Sequence, residues 1–303
     1  MTRADYSEQP VKKNSLTKLL RESKVAQGLF LISPANLYLF ILMVLPLLLV
    51  TGLSFLSRGT YGQVEFKFNL TNYTRLVDPL YAKVLVYTLY VGGATTVLCI
   101  LIGYPLAYYI ARAPARQRSL LLFLILLPFW TNFIIRIYAW IMILREGGIL
   151  DTILQFLHLT KTSLSILYTP TAVMIGMVYE FLPFMVLPLY TSLEKVENSL
   201  LEAAADLGAP PWKAFMRVTL PLSIPGMVAG TILTFIPALG MFVVPDLMGG
   251  AKTILIGNVI RNQFLTARDW PFGAAASMLL LILTLAFTLY YTRKAGFSED
   301  LLI

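Results

Sequence analysis

The chain has 303 residues, of which 57% are hydrophobic and only 13% are charged. Its mean hydropathy of +0.73 excludes an ordinary soluble domain and indicates a membrane protein. The formal charge of +8 suits a protein bordered by anionic lipid and does not indicate a nucleic-acid binder.

Six stretches are apolar for long enough to cross a membrane, which takes about 20 residues. We predict spans at residues 35–57, 84–110, 119–143, 171–190, 224–245 and 271–292. A long polar head precedes the first span and no cleavage pattern follows it, so we expect it to remain as a helix rather than to be removed as a signal peptide. The predicted architecture is an all-α integral membrane protein with a polar, basic, cytoplasmic arm at residues 1–30, a transmembrane domain at 31–295 and a cytoplasmic tail at 296–303.

Lysines and arginines are concentrated in alternate loops, and this asymmetry orients membrane proteins. The richer group lies before the first span and after the second, fourth and sixth spans: Arg3, Lys12, Lys13, Lys18, Arg21, Lys24, Arg112, Arg116, Arg118, Lys195, Lys213, Arg217, Arg293 and Lys294. Because an excess of basic residues marks the cytoplasmic side, both termini and the loop at 194–222 are predicted to be cytoplasmic.

The outer loops carry local structure signals of their own. The stretch "RGTYGQVEFKFNLTNYTRLVDPLYAK" predicts short extended pieces that end on a helix start. The segment "GGILDTILQFLHLTK" places its aliphatic residues on one helical face and predicts a helix lying flat on the outer surface. The last outer loop, from Asp246 to Gly273, is too polar to span and predicts a short helix packed under the bundle.

The sequence lacks the residues that common catalytic sites need. Cys99 and His158 are the single cysteine and the single histidine, which excludes an internal disulfide framework and a cluster of histidine metal ligands. No GxxxxGK[ST], HExxH or GxSxG pattern is present. We therefore expect no enzyme activity from this chain by itself, and no metal or cofactor held by it.

The cytoplasmic loop contains signals for two short helices. Ser199 and Glu202 stand in the S-x-x-E spacing of a capping box and predict a helix start there. Gly208 predicts the helix end, and Pro211 suits the first turn of the next helix. Glu202 and Asp206 are four residues apart, a repulsive pair that calls for a partner outside the helix.

In the second helix, Trp212, Phe215 and Thr219 share one face, whereas Lys213 and Arg217 share another. This pattern predicts a rigid helix-turn-helix at the membrane surface. From the residues alone, an ordinary surface helix between two spans is the competing interpretation.

The same loop resembles a family signature. The signature reads E-A-A, three residues, G, nine residues, an aliphatic residue, one residue, then L-P, and it is typical of permease subunits of ABC importers. It is matched here by Glu202, Ala203, Ala204, Gly208, Val218, Leu220 and Pro221, with valine where the family usually has isoleucine. In that family the segment is the coupling helix, which docks in a cleft of the ATP-binding subunit. The resemblance implies a set of ATPase-coupling residues: Glu202, Ala203, Ala204, Asp206, Gly208, Lys213, Arg217, Leu220 and Pro221.

Further stretches, "LTNYTRLVDPLY", "LPFWTNFIIRIYAW" and "DLMGGAKTILIGNVIRNQF" among them, resemble the spermidine/putrescine permeases of ABC importers. The resemblance implies the six-helix type I (MetI-like) importer fold and transport by alternating access in the bacterial inner membrane. It also implies two copies of an ABC ATPase subunit that binds ATP and magnesium, a second permease subunit and a periplasmic polyamine-binding protein. The alternatives are another cationic or small organic substrate and, more distantly, an autonomous channel, a secondary carrier or a membrane enzyme.

Polyamines are long cations, so their route is expected to offer carboxylates and aromatic faces. Glu180 is the one acid predicted inside a span, where ionisable groups are costly and often functional. Pairing with Arg136, or a position near a helix end, would also explain it. The aromatic candidates for the pathway wall, which lipid contact or packing would also explain, are Tyr179, Phe184, Trp130, Tyr138 and Trp140. On the outer side, Asp246 and Asp269 are candidates to meet the substrate or its binding protein.

Overall fold

The computed structural model describes residues 24–160 and 163–294. Most of the predicted arm and the whole predicted tail lie outside these residues. The chain forms two compact units, and the boundary between them lies after Gly52. The larger unit begins at Leu53 and contains the helical core.

Within the described residues, the regular secondary structure is helical apart from one small β-hairpin. The strands are β1 Ser57–Arg58 and β2 Val64–Glu65, antiparallel, with Ser57 opposite Glu65. The first helices are α1 Lys24–Ser54, α2 Thr71–Leu76, α3 Pro79–Arg112, α4 Ala115–Leu126, α5 Phe133–Leu144, α6 Ile149–Phe156 and α7 Pro170–Glu194. They are followed by α8 Asn198–Asp206, α9 Pro211–Ala214, α10 Leu220–Gly240, α11 Val243–Met248, α12 Ile256–Leu265 and α13 Trp270–Lys294.

By length and composition, five helical stretches of the described chain can cross a membrane: Leu31–Ser54, Pro79–Arg112, Pro170–Glu194, Pro211–Gly240 and Trp270–Arg293. A sixth is obtained if the segments Ala115–Trp130 and Phe133–Phe156, bent by 95° at their junction, form one broken span. The all-α membrane architecture expected from the sequence is confirmed.

The predicted third span, residues 119–143, is not one continuous helix, which corrects the sequence-based expectation. After α4 the chain makes a 3-10 turn at Leu127–Trp130, and Thr131 is extended. The side chain of Asn132 then accepts a hydrogen bond from the Ile134 amide at 2.8 Å and starts α5. An asparagine in this capping position satisfies a helix N-terminus and so favours a new helix over a continuing one.

The fifth span also differs from its predicted limits of 224–245. Its helical stretch begins on the cytoplasmic loop at Pro211 and ends at Gly240, and α11 is a separate short helix. The end at Gly240 is held by the returning chain, because a Cβ on Gly257 would lie 2.6 Å from the Gly240 carbonyl oxygen. Asn258 Nδ2 also donates to the Phe242 carbonyl at 2.9 Å, so the returning chain packs against the residues that follow Gly240.

The core of the larger unit is formed by α3, α7 and α10. Buried side chains of α3 and α7, Cys99, Ile110, Met177, Met185 and Leu189 among them, fill the space between these helices. On α10, Gly226 and Gly230 are four residues apart and let the helix approach α7 closely, as small residues do in membrane helix packing. A Cβ on Gly226 would lie 2.4 Å from the Pro188 carbonyl oxygen.

The outer loops contain the short elements that the sequence predicted. The hairpin and α2 fall in the first outer loop, α6 in the second and α12 in the last. Local signals were sufficient here, because each element depends on residues close together in the chain.

Candidate functional site: the cytoplasmic coupling segment

The loop between the fourth and fifth spans, which the sequence predicts to be cytoplasmic, begins with α8 as its first arm, and Gly208 sets the end of this helix. Gly208 has φ +77°, and its amide donates to the Ala205 carbonyl at 2.8 Å. The next amide, that of Ala209, donates to the Ala204 carbonyl at 3.0 Å. This pair of bonds is a Schellman motif, which closes a helix on a left-handed residue that is usually glycine. The predicted helix end is confirmed.

The start of α8 differs from the prediction. The helix begins at Asn198, after Glu197 in the capping position, so Ser199 lies inside the helix and forms no capping box with Glu202. Ser199 Oγ donates instead to a Glu197 carboxylate oxygen at 3.0 Å. The S-x-x-E spacing was correctly read as a helix start but misplaced it by two residues, because Glu197 and not Ser199 occupies the capping position.

The second arm begins at Pro211, as predicted, and runs without a break into the membrane. Pro210 is extended, α9 follows, and Phe215–Thr219 forms a π-helical turn that leads into α10. π-turns inside helices occur frequently at functional sites. The expected separate surface helix is therefore the first part of the helical stretch Pro211–Gly240, so a force applied to this arm acts on the span directly.

The elbow between the two arms presents apolar side chains outside the bundle. Leu207 is 89% exposed and Trp212 is 64% exposed, and apolar surface rimmed by polar residues is typical of protein interaction sites. Charged side chains surround them, and all are exposed: Glu202, Asp206, Lys213 and Arg217. The family-signature residues lie on this segment, with Ala203 and Ala204 on α8 and Leu220 and Pro221 at the start of α10.

Contacts that the sequence did not predict attach this segment to its neighbours. Arg118 Nη1 contacts Glu194 Oε1 at 2.5 Å, and Arg112 donates to the Asn198 side chain. Phe215 packs edge-on against Tyr104 of α3. From the sequence, Arg112 and Arg118 were counted only among the basic residues that orient the chain in the membrane. Their contacts could not be predicted, because their partners lie 86 and 76 residues further along the chain.

Glu180 and Arg136 form a buried ion pair at the broken third span. Arg136 Nη2 lies 2.8 Å from Glu180 Oε1, and each side chain is 9% exposed. Arg136 also donates to the Pro128 carbonyl at 3.1 Å, and its guanidinium lies 4.5 Å from the Phe129 ring centroid. The sequence left several explanations for a buried Glu180, and the structure shows the one in which it pairs with Arg136.

The aromatic pathway candidates are divided between two places. Trp140 and Tyr179 pack edge-to-face at 5.3 Å and line a cavity of about 290 Å³ between α3, α5 and α7. Phe184 packs against Phe129 beside the ion pair at 5.5 Å. The remaining two are exposed, Trp130 near the bend and Tyr138 on α5. Phe184 therefore packs on the Phe129 ring that also contacts Arg136, whereas Trp140 and Tyr179 line a different cavity.

The two outer aspartates hold local structure. Asp269 is buried, contacts Arg75 at 2.9 Å and accepts a hydrogen bond from the Phe272 amide, which caps α13. Asp246 contacts Arg261 and Asn258, each at 2.5 Å. Asp269 is thus buried within this chain, and its expected contact with the substrate or its binding protein stays a prediction. Asp246 is partly exposed, and its expected role stays a prediction.

Most of this helical unit matches a known protein family. Residues 100–292 match the family described as "Binding-protein-dependent transport system inner membrane component". The chain belongs to this family. It is a multi-pass permease component of an ABC transporter in the inner membrane, and members of this family are not themselves enzymes.

Among curated relatives of this permease, the spermidine/putrescine transport system permease protein PotB of Escherichia coli is 49% identical over 258 residues. That alignment covers 85% of this chain and 94% of the relative. PotB of Haemophilus influenzae is 48% identical over 255 residues, covering 84% and 89% of the two chains. The inner membrane ABC transporter permease protein YdcU of Escherichia coli is 32% identical, covering 81% and 84%.

The fold of the permease also matches a solved structure. A chain of a bacterial alginate ABC transporter, crystallised with a periplasmic protein that binds an alginate pentasaccharide, aligns with a TM-score of 0.75. The alignment covers 93% of this chain and 98% of that one at 16% identity. At this identity the likeness establishes a shared fold alone.

Proposed function

We propose that this chain is the permease subunit of an ABC importer that carries spermidine and putrescine inward across the cytoplasmic membrane. The observation that carries the proposal is the 49% identity to PotB along 85% of this chain and 94% of the relative. This identity far exceeds the 16% shared with the alginate system.

The permease works in this proposal as one part of a larger complex. Two copies of a PotA-like ATPase bind ATP and magnesium, a PotC-like chain supplies the second permease subunit, and a PotD-like periplasmic protein delivers the polyamine. The family description, which names a binding-protein-dependent system, supports this division of labour. Both termini of the chain and the coupling segment face the cytoplasm, an orientation supported by the alternation of basic residues along the loops.

The coupling segment comprises residues 194–222, and the ATPase acts on its elbow, the turn between α8 and α9. Leu207 and Trp212 supply the apolar centre of this contact, and charged side chains form its polar rim, the usual anatomy of a protein interface. Because the second arm continues into α10, movement of the elbow displaces a membrane span. ATP-driven closure of the ATPases then exchanges inward- and outward-open states, as alternating access requires.

The substrate route is lined by aromatic faces, and the Arg136–Glu180 pair keeps its surroundings electrically neutral. An unpaired arginine near the route would repel a polyamine, because like charges at short range in a poorly solvated site cost several kcal/mol. Glu180 therefore serves uptake by neutralising Arg136, while Phe184, Trp140 and Tyr179 offer ring faces that attract ammonium groups.

The test is ATP hydrolysis by the complete complex reconstituted in lipid, measured with the binding protein, with and without spermidine. We expect stimulation that requires both components. The variant Gly208→Ala forces a side chain into the left-handed region at a cost of about 1–2 kcal/mol and should reduce stimulation. Gly208→Asn is the matched control, because asparagine tolerates this conformation.

A complex that hydrolyses ATP without responding to spermidine or putrescine, but responds to another cation or small organic molecule, would contradict the substrate and keep the architecture. Uptake by this chain without an ATPase partner would contradict the importer itself. Equal activity of Gly208→Ala and Gly208→Asn would contradict the role given to the elbow.

A further inference from the structure

Both ends of the coupling segment contact the same membrane helix, α3. This helix precedes the segment by more than 80 positions in the chain and carries none of the family-signature residues. Its cytoplasmic end, from Tyr104 to Ala113, meets the segment at two separate joints, one with α7 and α8 and one with α10.

The first joint is centred on Arg118, at the start of α4. Its Nη2 donates to the carbonyls of Ala111 and Ala113 at 3.1 and 3.3 Å, at the C-terminal end of α3. Its Nη1 contacts the carboxylate of Glu194, the last residue of α7, at 2.5 Å. A guanidinium presents several donors in one rigid plane, so a single side chain fixes the ends of two helices relative to each other.

Arg112 extends this joint to the coupling helix itself. This residue ends α3 and donates to the Val196 carbonyl at 3.4 Å and to the side chain of Asn198, the first residue of α8. Its guanidinium also lies 5.7 Å from the centroid of the Tyr108 ring. The short link between α7 and α8 is therefore held at both of its sides, by Arg118 of α4 at Glu194 and by Arg112 of α3 at Val196 and Asn198.

The second joint connects α3 to the other arm of the segment. Phe215, at the start of the π-turn, packs edge-on against Tyr104 and Tyr108, with ring centroids 5.7 and 6.0 Å apart. The Tyr104 hydroxyl lies 2.9 Å from Ser223 Oγ on α10, and both residues are buried. Aromatic contacts of this kind add to the packing of two helices beyond simple area burial.

We propose that α3 is the transmission helix of this permease and that Arg112 and Arg118 are its positioning residues. Since both ends of the coupling segment are attached to α3, a push on the elbow displaces α3 together with α7 and α10, instead of being absorbed by bending at the link of residues 195–197. This inference rests on the proposed function, because it assigns a route to the movement that the ATPase imposes.

The decisive experiment exchanges the charges of the first joint. In the reconstituted complex we compare Arg118→Glu, Glu194→Arg and the double variant by the ratio of spermidine transported to ATP hydrolysed. Each single reversal should lower this ratio about 5-fold or more while basal hydrolysis persists. The double variant should recover part of it, as expected for residues in direct contact, because it restores the ion pair but not the bonds of Arg118 to the Ala111 and Ala113 carbonyls. Arg116→Glu, an exposed reversal at the start of the same helix, is the matched control and should leave the ratio unchanged.

A variant that only destabilises the complex would lower transport and hydrolysis together and leave their ratio unchanged. The ratio therefore separates a defect in transmission from a defect in folding. An unchanged ratio in both single variants, or a double variant no better than they are, overturns the proposal. If a single reversal prevents assembly, Arg118→Gln takes its place with the same expectation for the ratio. The unmodified complex is assayed first, and a lack of spermidine stimulation there refutes the proposed function independently.

A distance measurement tests the route without changing the joint. Spin labels at Ala205 on α8 and Tyr109 on α3, both exposed, report whether these helices move together, and the native Cys99 is buried and does not compete for label. The same distance in the nucleotide-free and ATP-bound complexes is expected. A change between the two states while α8 moves relative to the ATPase would overturn the proposal.

Discussion

Replacing Glu180 by glutamine would remove one charge from the buried ion pair and leave the Arg136 guanidinium with its positive charge uncompensated. The two groups lie 2.8 Å apart with side chains 9% exposed, so solvent can screen little of the remaining charge. Arg136 would keep its bond to the Pro128 carbonyl and its position over the Phe129 ring. These contacts reduce the loss but leave the excess charge in place.

The expected cost follows from the geometry. Two unit charges about 4 Å apart interact by roughly 4 kcal/mol at an effective dielectric constant of about 20, and breaking a buried pair by removing one partner usually costs about 3–5 kcal/mol. Because Arg136 retains two other contacts, we expect about 3 kcal/mol for Glu180→Gln. Arg136→Gln should cost a similar amount, whereas the double variant buries no charge and should cost less than the sum of the two by about 2–3 kcal/mol.

The free energy of unfolding is to be measured by steric trapping in lipid bicelles, beside spermidine uptake by the reconstituted complex at equal protein level. Uptake should fall in Glu180→Gln and recover in the double variant, because the latter restores neutrality. Glu146→Gln, at an exposed carboxylate, is the matched control for loss of one acid. Additive stability effects would refute the energetic reasoning, and a double variant as inactive as Glu180→Gln would show that the carboxylate itself is required.

Two further substitutions test how the helices pack and begin. Gly226→Ala places a methyl group 2.4 Å from the Pro188 carbonyl oxygen and should lower the free energy of unfolding by about 1–3 kcal/mol through overpacking, whereas Gly93→Ala meets nothing within 4 Å and should not destabilise. Asn132→Ala removes the cap of α5 at a cost of about 1 kcal/mol, and hydrogen exchange at the first turn of α5 should accelerate about 5-fold. Unchanged exchange would mean that another contact sets the bend.

Much of this permease follows from local rules applied to its sequence. The apolar stretches predict membrane helices because the bilayer core leaves the backbone few other ways to satisfy its hydrogen bonds. The end of α8 at Gly208 was equally predictable, since a left-handed residue in that position favours glycine. The family signature then favoured a coupling role for this elbow, which composition alone left indistinguishable from an ordinary surface helix.

The break in the third span was not predictable from hydropathy, because the sequence remains apolar across Leu127–Trp130. The Asn132 cap is a local signal that could have indicated it. The continuity of the second arm with α10 was missed for the opposite reason: the polar residues before Leu220 resemble a loop, although the backbone remains helical through the π-turn.

The sequence by itself determined the membrane class, the approximate spans and the turn at Gly208 between two helical arms, since each depends on residues near one another along the chain. Only the tertiary structure decided which charges meet. Glu180 lies 44 positions from Arg136, and Arg118 lies 76 positions from Glu194. A single sequence gives the cost of burying such groups but not their partners, because the packing of α3, α7 and α10 determines which side chains come within a few ångströms of each other.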